Sequence, residues 1–364
     1  MFSKNQRGNG RHQLVGVQAL RGIAALLVVF VHYNGTAVSH GFGFPVLADV
    51  ELGHIGVDIF FVISGFIMEL TAGGQLYVKG DTSRFLYRRA VRVLPLYWVL
   101  TLVAFGITLV LGSEINARRT PQQFMMSMLL LPAADTHGQA VYVIAVAWTL
   151  TFELYFYLIF AALLRLKTST RLVLLAALFT ASSGIGFLAN IQDPLAHVFV
   201  DPIVFEFLLG CLLAYALRHR WALGQHTGWL IAAAAVSAML LQARLLPSPG
   251  MRFIFWGLPA AALVGVVALS AGSIATQLER PFIYLGNISY SLYLSHFFTI
   301  ALFVRIHKKL PAMFANSKWF CLCALLLLIL AIAHACYISI ERPFQLWLSR
   351  KGRANNSTPQ LGQI

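Results

Sequence analysis

Acidic side chains are scarce: 13 Asp and Glu stand against 27 Lys and Arg, and charged residues of both signs make up only 11% of the 364 residues. So little charge excludes an ordinary soluble domain, in which roughly 25% of residues are charged. Cysteine is sparse too. The four present, Cys211, Cys321, Cys323 and Cys336, all sit in apolar stretches, which excludes a disulfide framework and offers no metal-ligand spacing. No small-residue cleavage site precedes the first apolar stretch, so the N-terminus reads as a signal anchor rather than a cleaved leader. Nor does any polar stretch of domain size separate one apolar run from the next.

What fills the chain is apolar. Hydrophobic residues reach 59%, the mean hydropathy is +0.74, and runs able to cross ~30 Å of hydrocarbon recur along the sequence. They fall at 14–33, 55–72, 93–112, 142–164, 171–190, 198–218, 228–246, 253–272, 285–304 and 319–340. The expected fold is an all-α polytopic bundle of about ten transmembrane helices. Residues 14–345 form one membrane domain, preceded by a short segment 1–13 and followed by a polar tail 346–364 expected to be disordered. "FMMSMLLL" at 124–131 is too short to span and is expected to be re-entrant or interfacial. Lys and Arg gather before residue 14 and in 79–92, 165–171, 218–220 and 342–353, which places both termini in the cytoplasm. The formal charge of +14 is then assigned to topology and anionic membrane lipid, not to nucleic acid. Arg305, Lys308, Lys309 and Lys318 in an outer loop run against that pattern.

Several ionisable residues fall inside the runs, where each costs a few kcal/mol and normally faces a bundle interior or a wet cavity. Arg21 and His32 lie eleven residues apart, three helical turns plus about 20°, so they share one face about 16 Å apart along the axis. Asp58 opens the second run near the depth of His32, where a carboxylate could orient the imidazole as in base-orienter pairs, or cap and pair elsewhere. Ser64, next to Gly65, reads as a packing position rather than a nucleophile. Arg88, Arg89 and Arg92 gather on one helical face, ready to bind phosphate or simply to anchor the inner boundary, and Pro95 fits the first turn of the third span. Glu153, near mid-membrane and flanked by Trp148, Tyr155 and Tyr157, must be protonated or partnered, with Arg21 a candidate partner. Glu206 raises the same question. Asn287, Tyr290, Tyr293 and His296 in the ninth run either bind a ligand or tie helices together. An ion-coupled transporter or flippase would tolerate the same buried charges, although no repeat relates the two halves.

Taken in order, these motifs resemble the type 3 acyltransferases: Arg21-x10-His32, "GVDIFFVISGF" at 56–66, Arg89-x-x-Arg92 before "VLPLYW", "WTLTFELYFY" at 148–157, and "LGNISYSLYLSH" ahead of a closing "ERPF". The likeness runs over residues 14–345. It implies a mostly bacterial, ten-helix O-acyltransferase of the cytoplasmic membrane. Such an enzyme moves an acyl group, usually acetyl, from cytoplasmic acyl-CoA to a hydroxyl of a glycan or similar acceptor, with no metal. By position it implies functional roles for Arg21 and His32, donor contacts from Arg89 and Arg92 with Arg88 beside them, and a role for Glu153 with Tyr157 in its motif; Thr149 stands where that motif has serine. The joint reading makes His32 the general base, Asp58 its orienter, and the stripe from Arg21 to His32 an aqueous donor-to-acceptor seam. A one-step transfer and an acyl-enzyme route both remain open at this point.

Overall fold

The structure is a computed structural model that describes residues 4–44, 46, 53–72, 81–111, 120–245, 252–270 and 279–347. Most of the expected tail, and parts of 34–54 and 112–141, lie outside the described residues. Fourteen α-helices are described: α1 (Lys4–Ser39), α2 (Ile55–Ala72), α3 (Asp81–Leu111), α4 (Pro121–Met128), α5 (Trp148–Leu163), α6 (Thr168–Ala189), α7 (Pro194–Val200), α8 (Val204–Arg218), α9 (Gln225–Leu245), α10 (Leu258–Leu269), α11 (Glu279–Asn287), α12 (Ser289–His307), α13 (Ala312–Ala315) and α14 (Lys318–Cys336). The strands β1 (Ala133–Ala134) and β2 (Ala140–Val141) form a small antiparallel hairpin.

Seven helices are long and apolar enough to cross a membrane, and α11 with α12, bent by 72° at their junction, make an eighth candidate. The apolar parts of α9 and α10 are shorter, Gln225–Leu241 and Phe253–Leu269. The protein is an all-α polytopic membrane bundle. Its outer helices present apolar side chains outward, Phe187 and Leu188 on α6 being 87% and 83% exposed, as expected of a lipid-facing surface. The centre is α2, whose apolar window is 72% buried against 17% for α6. Phe60 on α2 packs against all three apolar clusters of the core.

Contact of α2 with α8 is close because each supplies a glycine to the crossing. A Cβ on Gly65 would lie 1.9 Å from the Phe207 carbonyl oxygen, and one on Gly210 would lie 2.0 Å from that of Val62. Backbone cannot move aside as a side chain can, so small residues are required here. Gly65→Val is expected to lower stability by about 1–3 kcal/mol, read as a fall in the thermal midpoint of detergent-purified protein; an unchanged midpoint would contradict this packing.

One expectation changes. The third span does not begin at Pro95: α3 starts at Asp81 and Pro95 lies in its interior. The arginine-rich turn is itself helical, and proline removes only one hydrogen bond from a helix that neighbouring helices support. "FMMSMLLL" belongs largely to the short α4, whose N-terminus carries a Thr120–Gln123 capping box. It is fastened to α3 by Tyr97 Oη donating to the Ser127 carbonyl at 2.5 Å and Trp98 Nε1 donating to that of Met128 at 2.9 Å.

Candidate active site

Two charged clusters mark the ends of α2. Near its C-terminus Glu69 is fully buried and held bidentately by Arg171 of α6, with Nη2–Oε2 at 2.8 Å and Nε–Oε2 at 3.0 Å. Arg218 of α8 adds a contact at 3.3 Å, and Thr168 Oγ1 donates to the same carboxylate at 3.1 Å. Near its N-terminus Asp58 is gripped by Arg252, Nε–Oδ1 at 3.1 Å and Nη2–Oδ2 at 2.9 Å. Arg252 also lies over the Trp148 ring. Glu206 of α8 adjoins this second pair, its fully buried carboxyl facing Asp58.

This arrangement overturns the pairing of Asp58 with His32. A planar guanidinium satisfies both carboxylate oxygens at once, which one imidazole nitrogen cannot do. Arg252, at the edge of a π-helical turn over Phe253–Gly257, went unnoticed in the sequence because it read as loop charge.

The α3 arginines contrast with those two clusters. Among the described residues Arg88, Arg89 and Arg92 form no salt bridge. They line an open basin of about 640 Å³ together with Arg21, Asn287 and Glu341. Gln18 Nε2 donates to Asn287 Oδ1 at 2.9 Å, and Arg21 donates to Gln18 Oε1 at 3.1 Å. Glu341, in the closing "ERPF", is turned inward by a π-helical turn over Tyr337–Glu341. It accepts from Ser291 Oγ at 2.6 Å and from Gln345 at 3.0 Å. Sequence reading noticed the motif but not this carboxylate.

Gln18, Arg21, Arg89 and Arg92 are shared with a second, narrower chamber of about 270 Å³ that leads inward. Its walls are largely apolar, with Val57, Phe60, Phe61, Ile63 and Leu150 on them. Its polar groups include Ser64, Glu153, Tyr157, Tyr290 and Tyr293. Glu153 accepts from Ser64 Oγ at 3.0 Å and from the Tyr157 hydroxyl. Ser64 therefore positions a carboxylate, and no ion pair joins Glu153 to Arg21 among the described residues. Arg89 stacks 5.5 Å from the Phe85 centroid and 5.7 Å from that of Tyr157, contacts that hold a cation without neutralising it. Tyr290 donates to the Val93 carbonyl at 2.6 Å, and the Tyr293 hydroxyl bonds Thr149 Oγ1 at 2.9 Å.

His32 is not among the residues lining this chamber, so the open seam from Arg21 to His32 is not observed. The face of α12 explains why. Tyr290, Tyr293 and His296 follow one another at three-residue spacing; the first two line the chamber, and the third meets His32 behind it. The Tyr293 ring stands 5.8 Å from Phe60 and 6.0 Å from His296, and His296 stands 4.9 Å from His32. Aromatic side chains thus close the chamber short of the imidazole.

A third concavity, of about 530 Å³, lies beside the hairpin and has Tyr142, Trp148, Gln139, Gln192, His197 and Asp201 on its walls. Burial pushes the Tyr142 hydroxyl up to about 12, so it remains a neutral donor and acceptor.

Residues 14–338 match the sequence profile of a family described as an acyltransferase domain. The chain is 31% identical over 314 residues to the exopolysaccharide production protein ExoZ of Rhizobium meliloti, covering 85% of this chain and 94% of that one. It is 28% identical to the putative membrane-bound transacylase BcsY of Komagataeibacter xylinus, over 94% and 83% of the two chains. To the putative peptidoglycan O-acetyltransferase YrhL of Bacillus subtilis it is 24% identical, over 95% of this chain and 56% of that one. No solved structure matches it. A profile spanning nearly the whole bundle, and relatives named as transacylase and O-acetyltransferase, decide between chemistry and transport: the chain belongs to the type 3 acyltransferase family and is a membrane O-acyltransferase.

Proposed function

We propose that the enzyme takes an acyl group, acetyl foremost, from acyl-CoA at the arginine-lined basin and passes it to a hydroxyl of a glycan at the opposite face, with His32 as general base. The observation that carries this reading is the set of guanidiniums at the mouth of an inward-leading chamber. Elsewhere in the bundle Arg171, Arg218 and Arg252 are each matched to a buried carboxylate. Arg88, Arg89 and Arg92 form no ion pair among the described residues, and a ligand bearing several phosphates supplies one. The narrow apolar chamber behind them suits a slender arm ending in a thioester.

The seven long helices, the bent α11–α12 pair and the shorter α9 and α10 then make ten crossings of a bacterial cytoplasmic membrane, with the basin and both termini on the cytoplasmic side. Relatives named for exopolysaccharide and peptidoglycan support a glycan acceptor. The concavity beside the hairpin, with Trp148 and Tyr142 as apolar platforms and Gln139, His197 and Asp201 as hydrogen-bonding groups, has the mixed chemistry that a sugar requires. With Phe60 and Tyr293 swung aside to join the chamber to the imidazole, His32 accepts the proton of the attacking hydroxyl. As the new C–O bond forms and the C–S bond breaks, that proton passes on to the departing thiolate of CoA.

Phe60 and Tyr293 bound the acyl end of the chamber and so set the length of acyl group admitted. Phe60→Leu is expected to raise kcat/KM for butyryl-CoA relative to acetyl-CoA by about 10-fold, the scale on which hydrophobic pockets discriminate added methylenes. An unchanged ratio in folded protein would remove Phe60 from this role. The reading as a whole is tested with purified enzyme in detergent. Acceptor-dependent release of CoA from acetyl-CoA supports it, and a purified, folded protein that binds acetyl-CoA but transfers nothing to any glycan contradicts it.

A further inference from the structure

A backbone carbonyl can only accept a hydrogen bond, so a ring nitrogen that bonds one must carry the proton. His32 Nδ1 lies 2.9 Å from the Val28 carbonyl oxygen, one turn back on α1. His296 Nδ1 lies 3.2 Å from the Leu292 carbonyl oxygen, one turn back on α12. Both neutral rings are therefore protonated at Nδ1, and each keeps its lone pair on Nε2. The Nε2 of His296 is 3.3 Å from the Nδ1 of His32. It accepts part of the same N–H that Val28 accepts, and the shared bond joins α1 to α12 at the inner end of the chamber.

We infer that His296 is the positioning residue for His32, the role that sequence reasoning gave to Asp58. This inference rests on His32 being the general base. Holding the proton on Nδ1 leaves the His32 Nε2 lone pair free to take a hydroxyl proton. Once His32 becomes an imidazolium, its Nδ1–H is a stronger donor, and the waiting lone pair of His296 accepts it without reorganisation. His296 is fully buried and fixed by its own helix, so its lone pair has no other direction to face. It acts through His32 and does not itself meet substrate.

The test compares His296→Leu and His296→Gln with the wild type in detergent-purified enzyme, reading kcat, KM for acetyl-CoA and thermal midpoint. Leucine fills the site without an acceptor; the glutamine carbonyl can reach the His32 N–H. His296→Leu is expected to lower kcat by about 10- to 100-fold, one good hydrogen bond to a charge developing in the transition state, with KM within about twofold. His296→Gln is expected to recover most of that loss at the same thermal midpoint as His296→Leu. Wild-type kcat in both variants, or equal losses in both, overturns the inference. His32→Ala separates the two levels: inactivity there combined with full activity of His296→Leu removes only the positioning role, whereas activity of His32→Ala removes the base itself.

Discussion

His32→Ala is expected to lower the rate of acyl transfer by about 10²–10⁴-fold, the range that a positioned general base contributes, while binding of acetyl-CoA stays within about twofold. Donor affinity should survive because His32 stands outside the chamber that would receive the donor, separated from it by Phe60 and Tyr293. The substitution also leaves the α1 backbone intact, and the Val28 carbonyl released from His32 keeps its own helical partner. Single-turnover transfer with labelled acetyl-CoA, alongside equilibrium binding of the same donor, resolves the two effects. A variant that transfers at the wild-type rate would end the assignment of His32 as base.

The double substitution of Arg89→Ala and Arg92→Ala is expected to have the opposite signature. Each guanidinium facing a phosphate contributes roughly 1.5–3 kcal/mol, so loss of both should raise KM for acetyl-CoA by at least about 100-fold. The maximal rate at saturating donor should change little. Neither side chain forms an ion pair among the described residues, and Glu341, which Arg92 faces across the basin, keeps Arg21 and its bonds from Ser291 and Gln345, so the thermal midpoint should hold. That sets them apart from Arg171, whose loss would leave Glu69 buried with Arg218 as its one cationic partner among the described residues. An unchanged KM in folded protein would reduce the α3 arginines to anchors of membrane orientation.

Local order carried most of what the sequence revealed. Arg88, Arg89 and Arg92 share a turn of one helix, so their convergence followed from spacing alone, and Ser64, Glu153, Tyr157 and Tyr290 came from segments whose apolar runs already marked helices. Partnerships between segments distant in the chain were not legible. Asp58 meets Arg252 194 residues away, and His32 meets His296 264 residues away; depth in the membrane could place such residues in a common layer but could not choose among partners there. Glu341 and Arg252 were missed because each stands one residue outside an apolar run, where it read as loop charge, whereas the structure continues the helix there through a π-helical turn. Pro95 misled for a related reason, since a proline that marks a helix start in water is tolerated within a helix whose neighbours support it.

One structure of the enzyme bound to a hydrolysis-resistant thioether analogue of acetyl-CoA probes the donor path directly. Phosphates resting on Arg89 and Arg92, with the arm running past the hydroxyls of Ser64 and Tyr157 to place its acetyl end against Tyr293 and Phe60, is the predicted result. An analogue seated anywhere else, with those arginines untouched and the chamber closed to it, would contradict a transfer route through the bundle.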